Sequence, residues 1–247
     1  MKRVLDVLAA FLGLLILSPL LIPVSIAIWL QDYHLPFYVA WRTGRGETPF
    51  RMVKFRSMVV RADKSGVDST AGDDPRITAV GRFVRRFKID ELPQLWNVLK
   101  GEMSLVGPRP NVERETRLYT AEEKKLLHVR PGITDLASIV FADEGDILHG
   151  SDDPDIRYNQ VIRPWKSRLG ILYVEKGGWL LLDLRIVMLT AVSAVSRPRA
   201  LVGVAAIVEE LGGGEELVWI ARRDRPLHAA PPPGAREIVR SREGMPV

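Results

Sequence analysis

Hydrophobic residues are unevenly distributed along this chain, with one long apolar segment at the N-terminus. No charged residue occurs from Val7 to Leu30, and as a straight helix this segment would extend about 36 Å, enough to cross the hydrocarbon core of a bilayer. Pro19 follows Ser18 at its centre, and Pro23 comes one turn later. The pattern therefore predicts a kink or a break at Ser18-Pro19, where the serine hydroxyl can satisfy a freed carbonyl.

Basic residues flank this apolar segment on both sides. Lys2 and Arg3 precede it, and the cations that follow are Arg42, Arg45, Arg51, Lys54 and Arg56. The positive-inside rule draws both flanks to the cytoplasm. A helix-break-helix that enters and leaves by one face satisfies both flanks, so residues 1–36 are predicted to be a re-entrant membrane segment. This geometry is favoured over a single crossing, and a cleavable signal peptide fits poorly because the apolar run is too long.

The rest of the pattern predicts short helices and one hairpin. Alternation around a Gly-rich turn predicts a β-hairpin over 37–60, and a polar stretch predicts an exposed loop over 61–78. Apolar residues spaced by three and four predict an amphipathic helix from Asp90 to Gly101. Further helices are predicted over 81–88, 120–128, 154–161, 166–173 and 179–195. The predicted fold class is α+β, mostly helical, with interfacial amphipathic helices.

The composition changes near Arg197, which predicts a boundary between structural units. Lysine disappears beyond this point, while a run of three glycines and a run of three prolines follow. Residues 197–247 are therefore predicted to be an appendage that is partly disordered, with a small β element over 216–221. The catalytic part of the chain is expected over residues 37–196.

Overall composition restricts the class of protein. The 247 residues are 47% hydrophobic with a formal charge of +5, which excludes a disordered or fibrous chain. Cysteine is absent, so disulfide frameworks and thiolate sites are excluded. A basic pI of about 9.6 invites a nucleic-acid interpretation, but the cations are interspersed with acids and no known module is present. We therefore expect no nucleic-acid partner.

Asp90-Glu91 is the strongest candidate for chemistry. Two acids at a helix start often act only as cap and dipole partners, but here cations lie just upstream, in the preceding strand-like segment and in the Gly-Pro-Arg-Pro loop that follows. The basic residues concerned are Lys54, Arg56, Arg82, Arg85, Arg86, Lys88 and Arg109. Carboxylates among several cations suit a metal-bridged phosphate substrate, because Mg²⁺ takes one or two carboxylates plus phosphate oxygens and an Asp can attack phosphorus.

Several motifs in a fixed order make the chain resemble a known family. They are Lys2-Arg3-x-x-Asp6, Ser18-Pro19, Lys54-Phe55-Arg56-Ser57-Met58, Asp90-Glu91-Leu92-Pro93-Gln94-Leu95, Met103-Ser104-Leu105-Val106-Gly107-Pro108-Arg109-Pro110 and Val129-Arg130-Pro131-Gly132-Ile133-Thr134. Together they resemble the bacterial sugar transferases, the monotopic polyprenyl-phosphate phosphoglycosyl transferases. The resemblance extends from residue 2 to about residue 195.

The resemblance implies an activity and roles for particular residues. It implies transfer of a sugar 1-phosphate from a UDP-sugar to undecaprenyl phosphate, at the bilayer and on the cytoplasmic face of the bacterial inner membrane. Asp90 would attack the β-phosphate and release UMP, and Glu91 would either help Asp90 to bind Mg²⁺ or manage the proton on the acceptor phosphate. The donor's phosphates or nucleotide would be bound by Lys54, Arg56, Arg109 and Arg130. Assembly as a homodimer is left open.

Two alternatives and one departure from the family pattern stay open. The same reaction can proceed by direct displacement in a ternary complex, or the chain can be a non-catalytic basic scaffold at the membrane. Relatives often carry a basic residue near the position of Ala142, which is missing here. If that residue binds the donor, Arg163 or Arg157 must replace it, or the donor preference differs.

Overall fold

The computed structural model describes residues 2–62, 74–177 and 180–240. Helices dominate, and part of the predicted loop over 61–78 and the first residue of the predicted 179–195 helix lie outside the described residues. The helices are α1 Lys2–Leu30, α2 Ala79–Arg86, α3 Gln94–Lys100, α4 Glu113–Thr116, α5 Leu136–Val140, α6 Glu144–Leu148, α7 Pro154–Arg157, α8 Arg163–Lys176, α9 Leu180–Val195, α10 Arg197–Glu210 and α11 Gly214–Arg222. The mostly helical class is thereby confirmed.

Two pairs of strands complete the fold. β1 (Phe37–Thr43) and β2 (Pro49–Phe55) form the predicted antiparallel hairpin, and its turn includes Gly46 at a φ of 64°, a left-handed conformation that glycine adopts readily. A second, parallel pair joins β3 (Ser104–Val106) to β4 (Gly132–Thr134). This second pair is not predicted from the sequence, because strands of three residues have no readable period.

The apolar N-terminal segment forms one continuous helix. α1 has 29 residues and includes Pro19 and Pro23, so the predicted division into two helices at Ser18-Pro19 is not seen. Pro19 has no N–H to offer the Leu15 carbonyl one turn earlier, and the Ser18 hydroxyl donates to that same carbonyl at 2.7 Å. This replacement bond lets the helix continue through the proline.

One face of α1 packs on the rest of the protein along the whole helix. Near its start, Ala10 belongs to a buried cluster with Leu95 and Met103, and near its end Val24 and Ile28 belong to a second cluster. The other faces are apolar and exposed. The most exposed side chains are Val4, Leu15, Ile16 and Ile22. Among the described residues, α1 is the one helix long and apolar enough to cross a membrane.

The largest hydrophobic core lies in the C-terminal half and draws on α5, α8, α9, α10 and α11. The predicted β element over 216–221 is wrong, because this stretch belongs to α11. Leu217, Ile220 and Ala221 are buried, and their spacing of three and four places them on one helix face. The predicted boundary at residue 197 stays a prediction, although α10 and α11 contribute to the same core as α5 and α8.

Candidate active site

The Asp90-Glu91 pair lies in a tight turn between two helices. Residues Ile89–Glu91 form a 3-10 turn, and α3 begins only at Gln94. Lys88 precedes the turn in a left-handed conformation with a φ of 54°, which redirects the chain after α2. Ile89 is buried below the turn. The two carboxylates therefore precede α3 instead of opening it as predicted, while the predicted stop at Gly101 is confirmed.

A buried amide ties α3 to the strand that carries Lys54. The Asn97 side chain donates to the Arg51 carbonyl at 2.8 Å and accepts from the Val53 N–H at 3.0 Å. Asn97 is fully buried, so both bonds are protected from water. This docking holds the end of β2, and hence Lys54, beside the acidic turn.

Three of the predicted site residues meet at one carboxylate oxygen. Glu91 Oε1 accepts from Lys54 Nζ at 3.1 Å and from Arg109 Nη2 at 2.6 Å. The Arg109 backbone N–H also donates to Asp135 Oδ2 at 3.2 Å. Glu91, Lys54 and Arg109 thus form a cluster built from three separate parts of the chain.

The loop that carries Arg109 is fixed by close backbone packing. Gly107 follows β3 and Gly132 opens β4, and a Cβ atom on Gly132 would lie 2.1 Å from the Gly107 nitrogen. No side chain fits there, so the two glycines are required for this approach. The approach orients the Gly-Pro-Arg-Pro loop toward the acidic turn.

The two adjacent acids differ sharply in their electrostatic surroundings. Burial raises the pKa of Asp90, and the neighbouring Glu91 raises it further. Burial also opposes the ionisation of Glu91, but Arg109 and Lys54 outweigh it and hold the Glu91 pKa well below its usual range. Among the residues described, the Asp90 side chain has neither a hydrogen bond nor an ion pair, whereas the Glu91 carboxylate is neutralised by two cations.

The other predicted donor-binding residues contact different groups. Arg56 is buried and donates to both carboxylate oxygens of Asp32, with Nη2 at 2.6 Å from Oδ1. Arg130 Nε donates to the Gly101 carbonyl at 2.8 Å, at the end of α3. Neither side chain contacts the Asp90-Glu91 pair in this structure, and their proposed roles stay predictions.

A small cavity that is open to solvent is lined in part by Arg109. Its polar lining includes Asp135, Tyr158 and Lys166, none of which the sequence singled out. The Lys166 ammonium lies 5.3 Å from the centre of the Tyr158 ring and pairs with Glu144. The signal that could have found Lys166 is weak, because a single lysine in a helix is most often a solvated side chain.

Arginines from the C-terminal helices supply positive charge beside Ala142. Arg197 and Arg223 both pair with Asp143, at 2.7 Å and 2.9 Å. Arg163, one of the predicted replacements for the missing basic residue, is instead buried against Glu123. Arg157 is exposed on α7.

The arrangement supports metal binding only through the acidic pair. Among the residues that the structure describes, no group of three or more His, Cys, Asp or Glu side chains is placed to hold a metal ion. Mg²⁺ needs only one or two carboxylates when substrate phosphates and water complete its shell. Asp90, whose carboxylate is unpaired, and Glu91 fit this donor set.

Comparison with known proteins identifies the family. A family model described as "Bacterial sugar transferase" matches residues 1–197. A UDP-glucose:undecaprenyl-phosphate glucose-1-phosphate transferase of Caulobacter vibrioides is 39% identical over 173 residues, covering 67% of this chain and 65% of the relative. A UDP-N-acetylgalactosamine-undecaprenyl-phosphate N-acetylgalactosaminephosphotransferase of Aeromonas hydrophila is 35% identical over 180 residues, covering 71% of this chain and 42% of the relative.

A protein of Bacillus subtilis is 48% identical over 133 residues, which cover 54% of this chain and 70% of that relative. The chain thus spans less than two thirds of the length of the Caulobacter and Aeromonas relatives. The family model covers most of the chain, including the acidic turn, Lys54, Arg109 and the whole of α1. The chain belongs to the bacterial sugar transferase family.

Proposed function

We propose that the protein transfers a sugar 1-phosphate from a UDP-sugar to undecaprenyl phosphate, as the first membrane step of a surface polysaccharide. The names of its relatives support the reaction, since the Caulobacter and Aeromonas proteins are both named for transfer from a UDP-sugar to undecaprenyl phosphate. The observation that carries the proposal is the Glu91 cluster. Lys54 and Arg109 place positive charge beside an unpaired Asp90, which suits an anionic pyrophosphate.

We propose further that the reaction proceeds through a covalent intermediate on Asp90. The Asp90 carboxylate oxygen forms a bond to the β-phosphorus of the donor, and the bond from that phosphorus to the bridging oxygen breaks, so UMP leaves with the electron pair. A phosphate oxygen of undecaprenyl phosphate then attacks the same phosphorus. This second step releases Asp90 and gives undecaprenyl-diphospho-sugar.

The cations make this attack feasible for a negatively charged nucleophile. An ionised Asp90 and a donor pyrophosphate repel each other, and the repulsion is stronger in a half-buried site than in water. Lys54 and Arg109 offset the repulsion and hold the phosphates in place. Glu91 holds these two cations in position, and they neutralise its charge. The Asp90 carboxylate has no such partner.

Asp90 and Glu91 would also hold Mg²⁺ when it is bound. The ion would neutralise charge on the donor phosphates and favour departure of UMP. Arg109 already bonds one oxygen of Glu91, Oε1, which leaves Glu91 Oε2 and the Asp90 carboxylate as the protein ligands in this proposal.

A direct displacement in a ternary complex is the second candidate mechanism. It uses the same substrates but forms no bond to Asp90. Rapid quenching after mixing with a radiolabelled UDP-sugar, without acceptor, separates the two. Label retained on the wild-type protein and absent from Asp90→Asn supports the covalent path, whereas unlabelled wild-type protein that still turns over supports direct displacement.

We propose that α1 and neighbouring apolar side chains hold the site at the inner face of the cytoplasmic membrane. The support is that both ends of α1 pack on the same body of protein while its outer faces are apolar. Leu181 and Met188 on α9 are 71% and 67% exposed, and exposed apolar side chains of this size suit a lipid surface. A re-entrant path would keep both flanks of α1 in the cytoplasm.

The topology can be tested cleanly because the chain has no cysteine. One variant carries an added N-terminal cysteine, and the other is Tyr33→Cys, at a 71% exposed position just after α1. A membrane-impermeant maleimide should label both variants in inside-out vesicles and neither in intact spheroplasts. Labelling of the two cysteines from opposite faces would establish a single crossing instead.

The reaction itself is tested with a panel of UDP-sugars, undecaprenyl phosphate and Mg²⁺. UMP release that depends on one sugar and on the lipid acceptor is the expected result. The matched control for Asp90→Asn is Asp146→Asn, which also replaces an aspartate by an asparagine but at an exposed position in α6. A protein that binds anionic vesicles but releases no UMP from any donor would be the non-catalytic scaffold.

A further inference from the structure

The segment that follows α11 crosses the outer side of α8. We call residues 224–240, which contain neither helix nor strand, the C-terminal strap. Trp165 Nε1 on α8 donates to the His228 carbonyl at 3.1 Å, and Arg168 donates to the Pro231 carbonyl at 3.0 Å. Farther along, the Thr120 hydroxyl donates to the Pro233 carbonyl. The strap lies wholly beyond residues 1–197 that the family model matches.

The strap compensates for a defect in the helix below it. Tyr158–Ile162 form a π turn between α7 and α8, and Pro164 stands in the first turn of α8. In an α-helix the Gln160 carbonyl would accept from the N–H of residue 164, which proline does not have. The Ala230 N–H of the strap donates to this carbonyl at 3.0 Å. A backbone group that proline deprives of its helical partner is thus satisfied from the strap.

The Gln160 side chain makes the second bond to the strap. Its Nε2 donates to the Val239 carbonyl at 2.7 Å, and Val239 is 1% exposed. Gln160 is therefore held at both its main chain and its side chain, by strap residues nine positions apart in the chain. The strap curves around this single residue of the π turn.

The same π turn and the start of α8 also face the cavity beside Arg109. Tyr158, at the beginning of the turn, and Lys166, one turn into α8, line that cavity. Lys166 pairs with Glu144, and Glu144 in turn helps to raise the pKa of Arg109, after the larger effect of Glu91. A displacement of the π turn therefore moves the cavity wall relative to Arg109. π turns of this kind frequently occur at functional sites.

We infer that Gln160 is a positioning residue: clamped by the C-terminal strap, it sets where Tyr158 and Lys166 stand against the UDP-sugar held by Arg109. This inference rests on the proposed function, because it takes the cavity beside Arg109 as part of the donor site. Gln160 itself does not line the cavity. Its effect is on donor binding and not on the attack by Asp90.

The test uses the full-length protein with the UDP-sugar that it turns over. Gln160→Leu removes the Nε2 donor but keeps the backbone carbonyl bond to Ala230, so the fold should survive. We expect the KM for the donor to rise several-fold, because the π turn that carries Tyr158 loses its side-chain bond to the strap, while kcat changes less than about twofold. Trp165→Phe, which removes the donor to His228 and keeps a buried ring, should raise KM in the same direction.

The control is Glu237→Gln on the exposed side of the strap, for which KM and Tm should stay at the wild-type values. A fall in Tm for Gln160→Leu and Trp165→Phe with an unchanged KM would overturn the inference, since the strap would then only stabilise the fold. An active wild type with unchanged KM and Tm in both variants would overturn it as well. Absence of UMP release by the wild type with every donor would overturn the proposed function, and this inference with it.

Discussion

Two clusters of carboxylates and cations, one at Glu91 and one at Glu123, are made of similar groups but completed to different degrees. Glu123 is fully buried and accepts from Arg163 at 3.0 Å and 2.6 Å, from the Ser167 hydroxyl at 2.8 Å and from the Thr120 N–H at 3.1 Å. Its charge and its lone pairs are satisfied within the protein.

The Glu91 cluster is left open in two respects. Its side chains keep contact with solvent, with 18% of Glu91 and 39% of Arg109 exposed. Next to it in the chain is a second acid, Asp90, and both burial and the charge of Glu91 raise the pKa of Asp90. Removing one partner of a fully satisfied buried ion pair is costly to the fold, whereas a half-buried cluster beside an unpaired acid with a shifted pKa is a candidate functional site. The difference between the two clusters is consistent with a structural role for Glu123 and with the chemical role proposed for Asp90.

Asp90→Asn is expected to have the largest effect and to separate activity from stability. UMP release should fall by at least about a thousandfold, because the proposed nucleophile is removed. The fold raises the Asp90 pKa, so ionisation of Asp90 costs stability as pH rises through that pKa. A neutral Asn removes this cost at pH 7, and Tm should stay level or rise. An activity within tenfold of wild type would break the assignment of chemistry to Asp90.

Glu123→Gln is expected to show the reverse pattern. It leaves Arg163 buried without its anionic partner, which costs about 3–5 kcal/mol and should lower Tm by about 10 °C in detergent. The matched control is Glu122→Gln, whose side chain is 41% exposed in a pair with Lys125 and should matter by less than about 1 kcal/mol. Equal losses of stability in the two variants would contradict the structural role of Glu123.

The parts of this site that depend on local sequence patterns could be predicted from the sequence. The acidic turn before Pro93 and the hairpin that carries Lys54 have readable local patterns, and the structure brings Lys54, Arg109 and Glu91 together. Contacts that depend on pairing of distant short segments could not be predicted. The parallel pairing of β3 with β4 joins residues 104–106 to 132–134, with too few residues in either strand to show a period.

The packing of the C-terminal strap could not be predicted from the sequence either, but for a different reason. Its run of three prolines resembles a disordered tail, and its hydrogen bonds to Trp165, Arg168 and Thr120 use backbone carbonyls, which any sequence supplies. Arg56 is a predicted site residue whose role stays a prediction. The family motif points to Arg56 as a donor-binding residue, but Asp32, from the segment just after α1, occupies its guanidinium in this structure.

Asp32→Asn is expected to have the smallest effect, and it extends the comparison to a third ion pair, between Asp32 and Arg56. The hydrogen bonds from Arg56 lower the Asp32 pKa to about 2. Because the folded-state pKa lies below the ordinary value, the ion pair stabilises the fold above about pH 4 and loses its contribution as pH falls toward about 2. With 30% of the Asp32 side chain exposed, the loss at pH 7 should be about 1 kcal/mol or less. The Tm difference between wild type and variant should therefore be small but constant from pH 7 to pH 5, and should shrink below pH 4.

If Arg56 serves only this pair, the KM for the donor should stay within about twofold of wild type, and a larger rise would place Arg56 with the Glu91 cluster.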